Sequence, residues 1–252
     1  MAKERRIRRT WDRGQRVNVK RRLFESRLEG KPDPRWFGDP AAIYRHRVKI
    51  GQPLRTVANS PQGFHIVDLS KGLDKGHVIE LGHGVSPISY TMQPTALTLV
   101  DLLPEHTEKA KEVIERCHAA GQGPQSLAPE EVRFITADLR KGVPQQLGNE
   151  HFSLAVMSEL LTHIPPRERP AFLRQWAERT DSFIIVDRHT TSKGLLKKFP
   201  EYMNGREIKQ MLSRLGFECT HYSTRRFTWH DAGQPAEFPY FFLVAKRRKP
   251  AK

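Results

Sequence analysis

From residue 63 onward, short apolar runs alternate with stretches whose apolar residues recur at helical spacing. His77–Leu81, Ala96–Asp101, Val132–Thr136, Phe152–Ser158 and Ser182–Asp187 are almost continuously apolar, the pattern of strands buried on both faces. Between them the spacing predicts helices over Gly63–Leu73, near Ser86–Met92, over Pro104–Ala119 and over Pro166–Arg179. The Pro104–Ala119 helix has proline at its first position, an inner stripe of Ala110, Val113 and Ile114, and Gly121 just past its end. Asn204 can cap a further helix that runs to Leu215 and stops at Gly216. Two last strands, near Phe217–Ser223 and Pro239–Lys246, have no helix between them and predict a hairpin. Alternating strands and helices imply a parallel sheet covered on both faces, and the hairpin makes the final strand antiparallel.

The first 60 residues follow a different rule. Arg-rich sequence carries a loose helical stripe of Val17, Val19, Leu23, Phe24 and Leu28. Breakers at Lys31–Pro34 and Gly38–Pro40 precede a short helix at Ala41–Val48 and a linker at 51–63. Two parts are therefore expected: a basic, partly helical extension over 1–60 and a folded domain over 61–252.

Charge sharpens that division. The chain of 252 residues has a formal net charge of +15. Residues 1–50 carry 16 Lys/Arg against 6 Asp/Glu, and residues 246–252 carry 5 Lys/Arg and no acid. The body between them balances at 22 of each. Charge concentrated at chain ends is suited to a polyanion, so RNA or ribonucleoprotein is the expected partner through residues 1–50 and 246–252. The alternative is a solubilising or targeting role for the ends with a small-molecule substrate. No run reaches the ~18 apolar residues of a membrane helix, and no apolar segment follows the basic start. Two cysteines, Cys117 and Cys219, cannot build a disulfide framework. A cytoplasmic setting is the expectation; a mitochondrial leader is the competing one, with Glu4 and Asp12 against it.

The chemistry centres on residues 77–101. A strand ending in Glu80 and Leu81 runs into Gly82 and Gly84, which permit a tight turn close to a ligand. A second strand ends in Asp101, whose carboxylate can accept hydrogen bonds from both hydroxyls of a ribose. Glu80-Leu-Gly-His-Gly84 resembles the E-x-G-x-G loop of the class I S-adenosylmethionine (SAM)-dependent methyltransferases. Leu99–Ala110, with Asp101 and Leu102 followed by Pro104, is similar to their second motif. Val132–Asp138 resembles the third-strand motif, whose acid lies near the adenine, with Leu139 beside it. Phe152–Pro166 resembles the fourth strand and its turn, placing Ser158 at the cofactor. The resemblance covers residues from about 60 to the end and departs at Ser86, where a third glycine is common, and at His83, where a small residue or Cys is common. It implies a Rossmann-like, mostly parallel seven-stranded sheet, SAM as cofactor, and cofactor contacts from Glu80, Gly82, His83, Gly84, Asp101, Leu102, Asp138, Leu139 and Ser158.

In an open α/β sheet ligands lie beyond the carboxyl ends of the strands. Glu159 and His163 after the fourth strand, and Asp187, Arg188 and His189 after the fifth, are thereby brought into range. Methyl transfer needs a nucleophile held about 3 Å from the methyl carbon and a group to take its proton. Glu159, His163 and His189 are the candidate catalytic residues; the alternative for both histidines is a packing role. Ile164-Pro-Pro-Arg167 lacks the amide or acid that would grip an exocyclic base amine, and no Pro-Cys pair offers a covalent route at cytosine C5. O- or N-methylation by positioning remains. Glu159-Leu-Leu-Thr-His163 echoes the E-x-x-E-H metal site of small-RNA 2′-O-methyltransferases, but Thr162 replaces the second acid, so no metal is expected. A non-catalytic, methyltransferase-like assembly factor that binds RNA or the ribosome is the third reading.

Overall fold

A computed structural model describes residues 61–191, 202–231 and 234–249. The expectations for residues 1–60 lie outside the described residues. Apart from 228–237, the described residues belong to one compact unit.

Strands β1 (His77–Leu81), β2 (Ala96–Asp101), β3 (Arg133–Thr136), β4 (Leu154–Ser158), β5 (Ser182–Arg188), β6 (Phe217–Asp231) and β7 (Gln234–Arg247) form one seven-stranded sheet, ordered β3-β2-β1-β4-β5-β7-β6. The pairings β1·β2, β1·β4, β2·β3 and β4·β5 are parallel, and β5·β7 is antiparallel. The mostly parallel, Rossmann-like sheet with an antiparallel end strand is therefore observed. Strand order reverses between β1 and β4, which opens the ligand crevice of such sheets at their carboxyl ends.

Helices cover both faces because the strands are apolar on both. On one side Ile79, Met157 and Ile185 pack with Trp176 of the helix Arg169–Ala177 and Leu212 of the helix Gly205–Arg214. On the other, Val78, Val156, Ile184 and Val186 pack with Ile66 and Ile114. Ile66 belongs to α1 (Pro61–Ser70) and Ile114 to α2 (Pro104–Ala119); the two helices just described are α3 and α4. Asn204 caps α4 as expected, its side-chain oxygen accepting from the Arg206 N–H at 3.1 Å.

Three elements differ from expectation. The helix expected near Ser86–Met92 is a single 3-10 turn over Ser89–Met92. Gln93 has a left-handed φ of 64°, and Pro94 follows it, so the turn cannot extend. The end strands are longer than the pattern showed, because β6 and β7 continue well past Ser223 and before Pro239.

Candidate cofactor cradle and strand-tip cluster

The turn after β1 is built by hydrogen bonds that the sequence only hinted at. Gly82, at φ 70°, donates its N–H to the Val100 carbonyl at 2.7 Å, stitching the turn to β2. A Cβ there would lie 2.8 Å from the Leu160 side chain. Gly84, at φ 58°, donates to Asp101 Oδ2 at 2.9 Å. Asp101 Oδ1 accepts from the Leu103 N–H at 3.0 Å and faces His106 Nδ1 at 2.9 Å. Burial alone would raise the Asp101 pKa; the His106 contact, the nearby His83 and the Leu103 N–H outweigh it and hold the carboxyl below its ordinary range. Leu102 follows directly, half-buried.

Glu80 is inside the fold rather than on the cradle's surface. Its carboxylate accepts from the Ile88 N–H at 3.3 Å, the Ser89 N–H at 2.9 Å and the Ser89 hydroxyl. It thereby caps the turn at Ser89–Met92 and fixes the path of residues 82–88. Its complete burial raises its pKa to about 7 despite those donors. His83 is buried, and neither ring nitrogen has a hydrogen-bond partner. Its ring stands edge-on to Phe134 at 6.1 Å. Burial lowers its pKa, and the Asp101 charge only partly opposes this, so it is neutral at pH 7.

Asp138 and Leu139 follow β3. The Asp138 carboxylate is forked by Arg140, with both contacts at 2.9 Å, and also accepts the Arg140 N–H. The Arg140 hydrogen bond holds the Asp138 carboxyl below its ordinary range. Leu139 is buried in the short turn over Leu139–Lys141.

The second group of residues sits at the tips of β4, β5 and β7. Ser158 ends β4, and Glu159 follows at φ 55°, a strained value for a residue with a side chain. The Glu159 N–H donates to the Val186 carbonyl at 2.8 Å. Its carboxylate lies 3.8 Å from Arg188 Nη2 and hydrogen-bonds the Tyr240 side chain. Register explains the meeting: Arg188 and Tyr240 are directly opposed across the β5·β7 pair. Asp187 is fully buried; it accepts from the Arg188 N–H at 2.7 Å and the Thr162 N–H at 3.0 Å. Burial, with the neighbouring Glu159 charge adding to it, raises the Asp187 pKa to about 7. Arg169, also buried, donates Nε to the Leu161 and Ile164 carbonyls at 3.1 and 3.0 Å, locking the turn between them.

Of the predicted catalytic residues, His163 ends that turn, half-buried. His189 goes the other way. Its Nδ1 accepts from the Gly205 N–H at 3.3 Å, and its ring stacks edge-on to Phe241 at 6.3 Å. Phe241 belongs to the opposite core from Tyr240, so the His189 ring packs on the other face of the sheet from Tyr240. Tyr240, His106 and Arg169 carried no sequence signal: each acts through a contact that only sheet register or turn geometry creates. Among the described residues no group of three His, Cys, Asp or Glu could hold a metal ion, and no helix is long and apolar enough to cross a membrane.

No protein-family model matches the sequence, and no curated protein matches it. Solved structures do resemble the fold. Magnesium protoporphyrin IX methyltransferase from Synechocystis PCC 6803, crystallised with bound SAH, matches with a TM-score of 0.58 at 16% identity, over 85% of this chain and 97% of that one. The chain has the class I SAM-dependent methyltransferase fold. A SAM-dependent methyltransferase from Methanosarcina mazei matches with a TM-score of 0.53 at 14% identity, over 72% and 96% of the two chains. The Pyrococcus horikoshii protein PH1948, a candidate RNA methyltransferase, matches with a TM-score of 0.53 at 14% identity, over 75% and 87%.

Proposed function

We propose that this protein is a SAM-dependent methyltransferase that methylates oxygen or nitrogen on RNA or a ribonucleoprotein. The observation that carries the first half is the bond from the Gly84 N–H to Asp101 Oδ2 where strand order reverses. It joins the glycine turn and the acid at the tip of β2 into one cradle. The cradle fits SAM. Gly82 has no room for a Cβ, Gly84 leaves space above the turn, and Asp101 keeps accepting capacity beyond its three contacts. Bound there, SAM supplies an electrophilic methyl group. Gly82 and Gly84 let the backbone approach the ligand, Glu80 fixes the turn from below, and Asp101 holds the ribose. Asp138 and Leu139 border the adenine side and Ser158 the methyl side.

At the strand tips Glu159 is the group placed to take a proton from the acceptor. Its left-handed backbone turns the side chain toward Arg188 and Tyr240, and it keeps partial contact with solvent. His163 borders the same turn and is the second candidate. His189, whose Nδ1 accepts from the Gly205 N–H of α4, is the third candidate.

The RNA half rests on the net charge of +15 gathered at the chain ends. One observation favours a small-molecule substrate instead. Lys246 donates to the Gly72 carbonyl at 3.1 Å, Arg247 to the Thr180 carbonyl at 2.8 Å, and Arg248 to Ser213 at 2.9 Å. Three of the five C-terminal cations are thus fastened to the fold, and residues 1–50 must supply most of any RNA contact. Incubating the full chain with methyl-labelled SAM and fractionated cell extract tests both halves. Label in RNA is the expected result. Label in small molecules alone would overturn the substrate, and no SAM binding would leave a non-catalytic assembly factor.

A further inference from the structure

We infer that Tyr240 is a positioning residue for Glu159: its side chain holds in one orientation the carboxylate that takes the acceptor's proton. The inference rests on the methyltransferase reading above, with Glu159 as the group that takes the proton. Tyr240 is 1% exposed and hydrogen-bonds the Glu159 side chain. The Glu159 side chain is 28% exposed and that of Arg188 11%. The cluster is therefore layered, with Glu159 meeting solvent and Tyr240 standing behind it.

The fold fixes both ends of this contact. The Glu159 backbone is set by its φ of 55° and by its N–H bond to the Val186 carbonyl at 2.8 Å. Tyr240 is set by β7, opposite Arg188, and belongs to the same buried cluster as Val186 and Phe242. Between these two anchors the glutamate side chain has three torsions left to fix. Holding them costs entropy, which contacts at the carboxylate must offset. The Tyr240 hydroxyl and the Arg188 cation at 3.8 Å are those contacts. One hydrogen bond leaves most of the carboxylate's accepting capacity free.

The chemistry of the neighbours assigns the two roles. Burial, and then the Glu159 charge, raise the Tyr240 pKa well above its ordinary value, so the phenol stays a neutral donor and takes no proton itself. Asp187 is fully buried, and its two oxygens accept from the Arg188 and Thr162 N–H groups. Arg188 has no acceptor to offer. In the transfer the acceptor's O–H or N–H bond breaks and the proton passes to a Glu159 oxygen. The acceptor's electron pair takes the methyl group, and the carbon–sulfur bond pair returns to sulfur. Such a base works only when it is held within hydrogen-bond reach of the proton.

The test uses the full chain, methyl-labelled SAM and total cellular RNA, or the small-molecule fraction of cell extract should label appear there instead. Tyr240→Phe keeps the ring and removes the hydroxyl. It is expected to cut kcat by roughly 10- to 100-fold, the worth of one hydrogen bond to a charged group. KM for the acceptor and Kd for SAM should not change, because Tyr240 acts through Glu159 and touches neither ligand. In a Glu159→Gln background the same change should lower kcat no further, since no base is left to position. Wild-type kcat in Tyr240→Phe overturns the inference, and so does a full, additive loss in the double variant, which would make Tyr240 a support of the fold alone; the methyltransferase reading survives both. If Tyr240→Phe does not fold, Glu159→Asp serves: it keeps a carboxylate but withdraws it from Tyr240 by one methylene, and wild-type kcat there overturns the inference equally. If the wild-type chain labels neither fraction, the methyltransferase reading itself has failed, and this inference with it.

Discussion

Replacing Asp101 by alanine separates two jobs that one carboxylate performs. In the folded chain Asp101 accepts from the Gly84 and Leu103 N–H groups and faces His106, all within 3.0 Å. Removing it strands two backbone donors and a ring nitrogen next to a buried cavity, at about 1–3 kcal/mol for each donor that water cannot reach. Because Gly84 and His106 lie near the surface of the cradle, water recovers part of this. The expected loss of stability is about 2–4 kcal/mol. Binding suffers separately. Two ribose hydroxyls lose a charged acceptor, which costs about 2–3 kcal/mol, or roughly 30- to 150-fold in Kd. Urea unfolding without ligand gives the first quantity, and calorimetric titration with SAM under conditions where the variant is folded gives the second. A variant that loses stability but binds SAM with wild-type affinity would refute the reasoning: Asp101 would then be a brace for the turn, and the ribose would be held elsewhere.

Three more outcomes follow from the same geometry. Glu80 and Asp187 both have pKa values raised to about 7, so between about pH 4 and 7 the folded chain binds more protons than the unfolded one. Their stabilising contribution is present at the acid end of that window and is lost as pH rises through 7. For Glu80 the loss is at most on the order of 3 kcal/mol, and Glu80→Gln should flatten the profile of Tm against pH; a profile as steep as the wild type's would refute the assignment. Asp138→Ala should weaken SAM binding by about 1–2 kcal/mol if its carboxylate accepts the adenine amine beside Arg140, and an unchanged calorimetric Kd would place adenine recognition on other groups. RNA affinity of the full chain should fall with salt at a slope near −0.7 per phosphate contact, whereas SAM affinity should barely move; filter binding over a salt series would contradict this by showing a flat line.

The sheet was legible because each strand is an apolar run long enough to be buried on both faces, and β1 to β5 were placed to within two residues or fewer. The segment at 86–92 was not. Its apolar residues suit a helix, yet the Glu80 carboxylate takes the Ile88 and Ser89 N–H groups and sets a tighter turn that Gln93 ends. A capping acid eight residues upstream leaves no local pattern. The site divides the same way. Gly82, Gly84 and Asp101 were readable because a turn and a strand tip demand those residue types. Arg188 was placed at a strand tip by order alone. Tyr240 could be found only through the antiparallel register that sets it opposite Arg188.

The same register changes what the charged C-terminus means. By composition, residues 246–252 look like a tail, five cations and no acid. In the fold, Lys246 and Arg247 complete β7, and Arg247 lies 4.8 Å over the Phe217 ring while it also donates to the Thr180 carbonyl. Arg248 donates its N–H to Gly216 at 2.9 Å and its guanidinium to Ser213. These side chains close the end of the sheet opposite to the strand tips. Deleting 246–252 would therefore remove packing and hydrogen bonds along with charge, and any loss of RNA binding would be confounded with loss of fold. Replacing Lys249 and Lys252 by glutamate removes charge and leaves Lys246, Arg247 and Arg248 in place. If the chain ends hold RNA, that pair should lower affinity modestly and removal of residues 1–50 should lower it far more, because only the latter carries 16 cations. Equal affinity in both variants would put the RNA surface on the charge-balanced body of the chain.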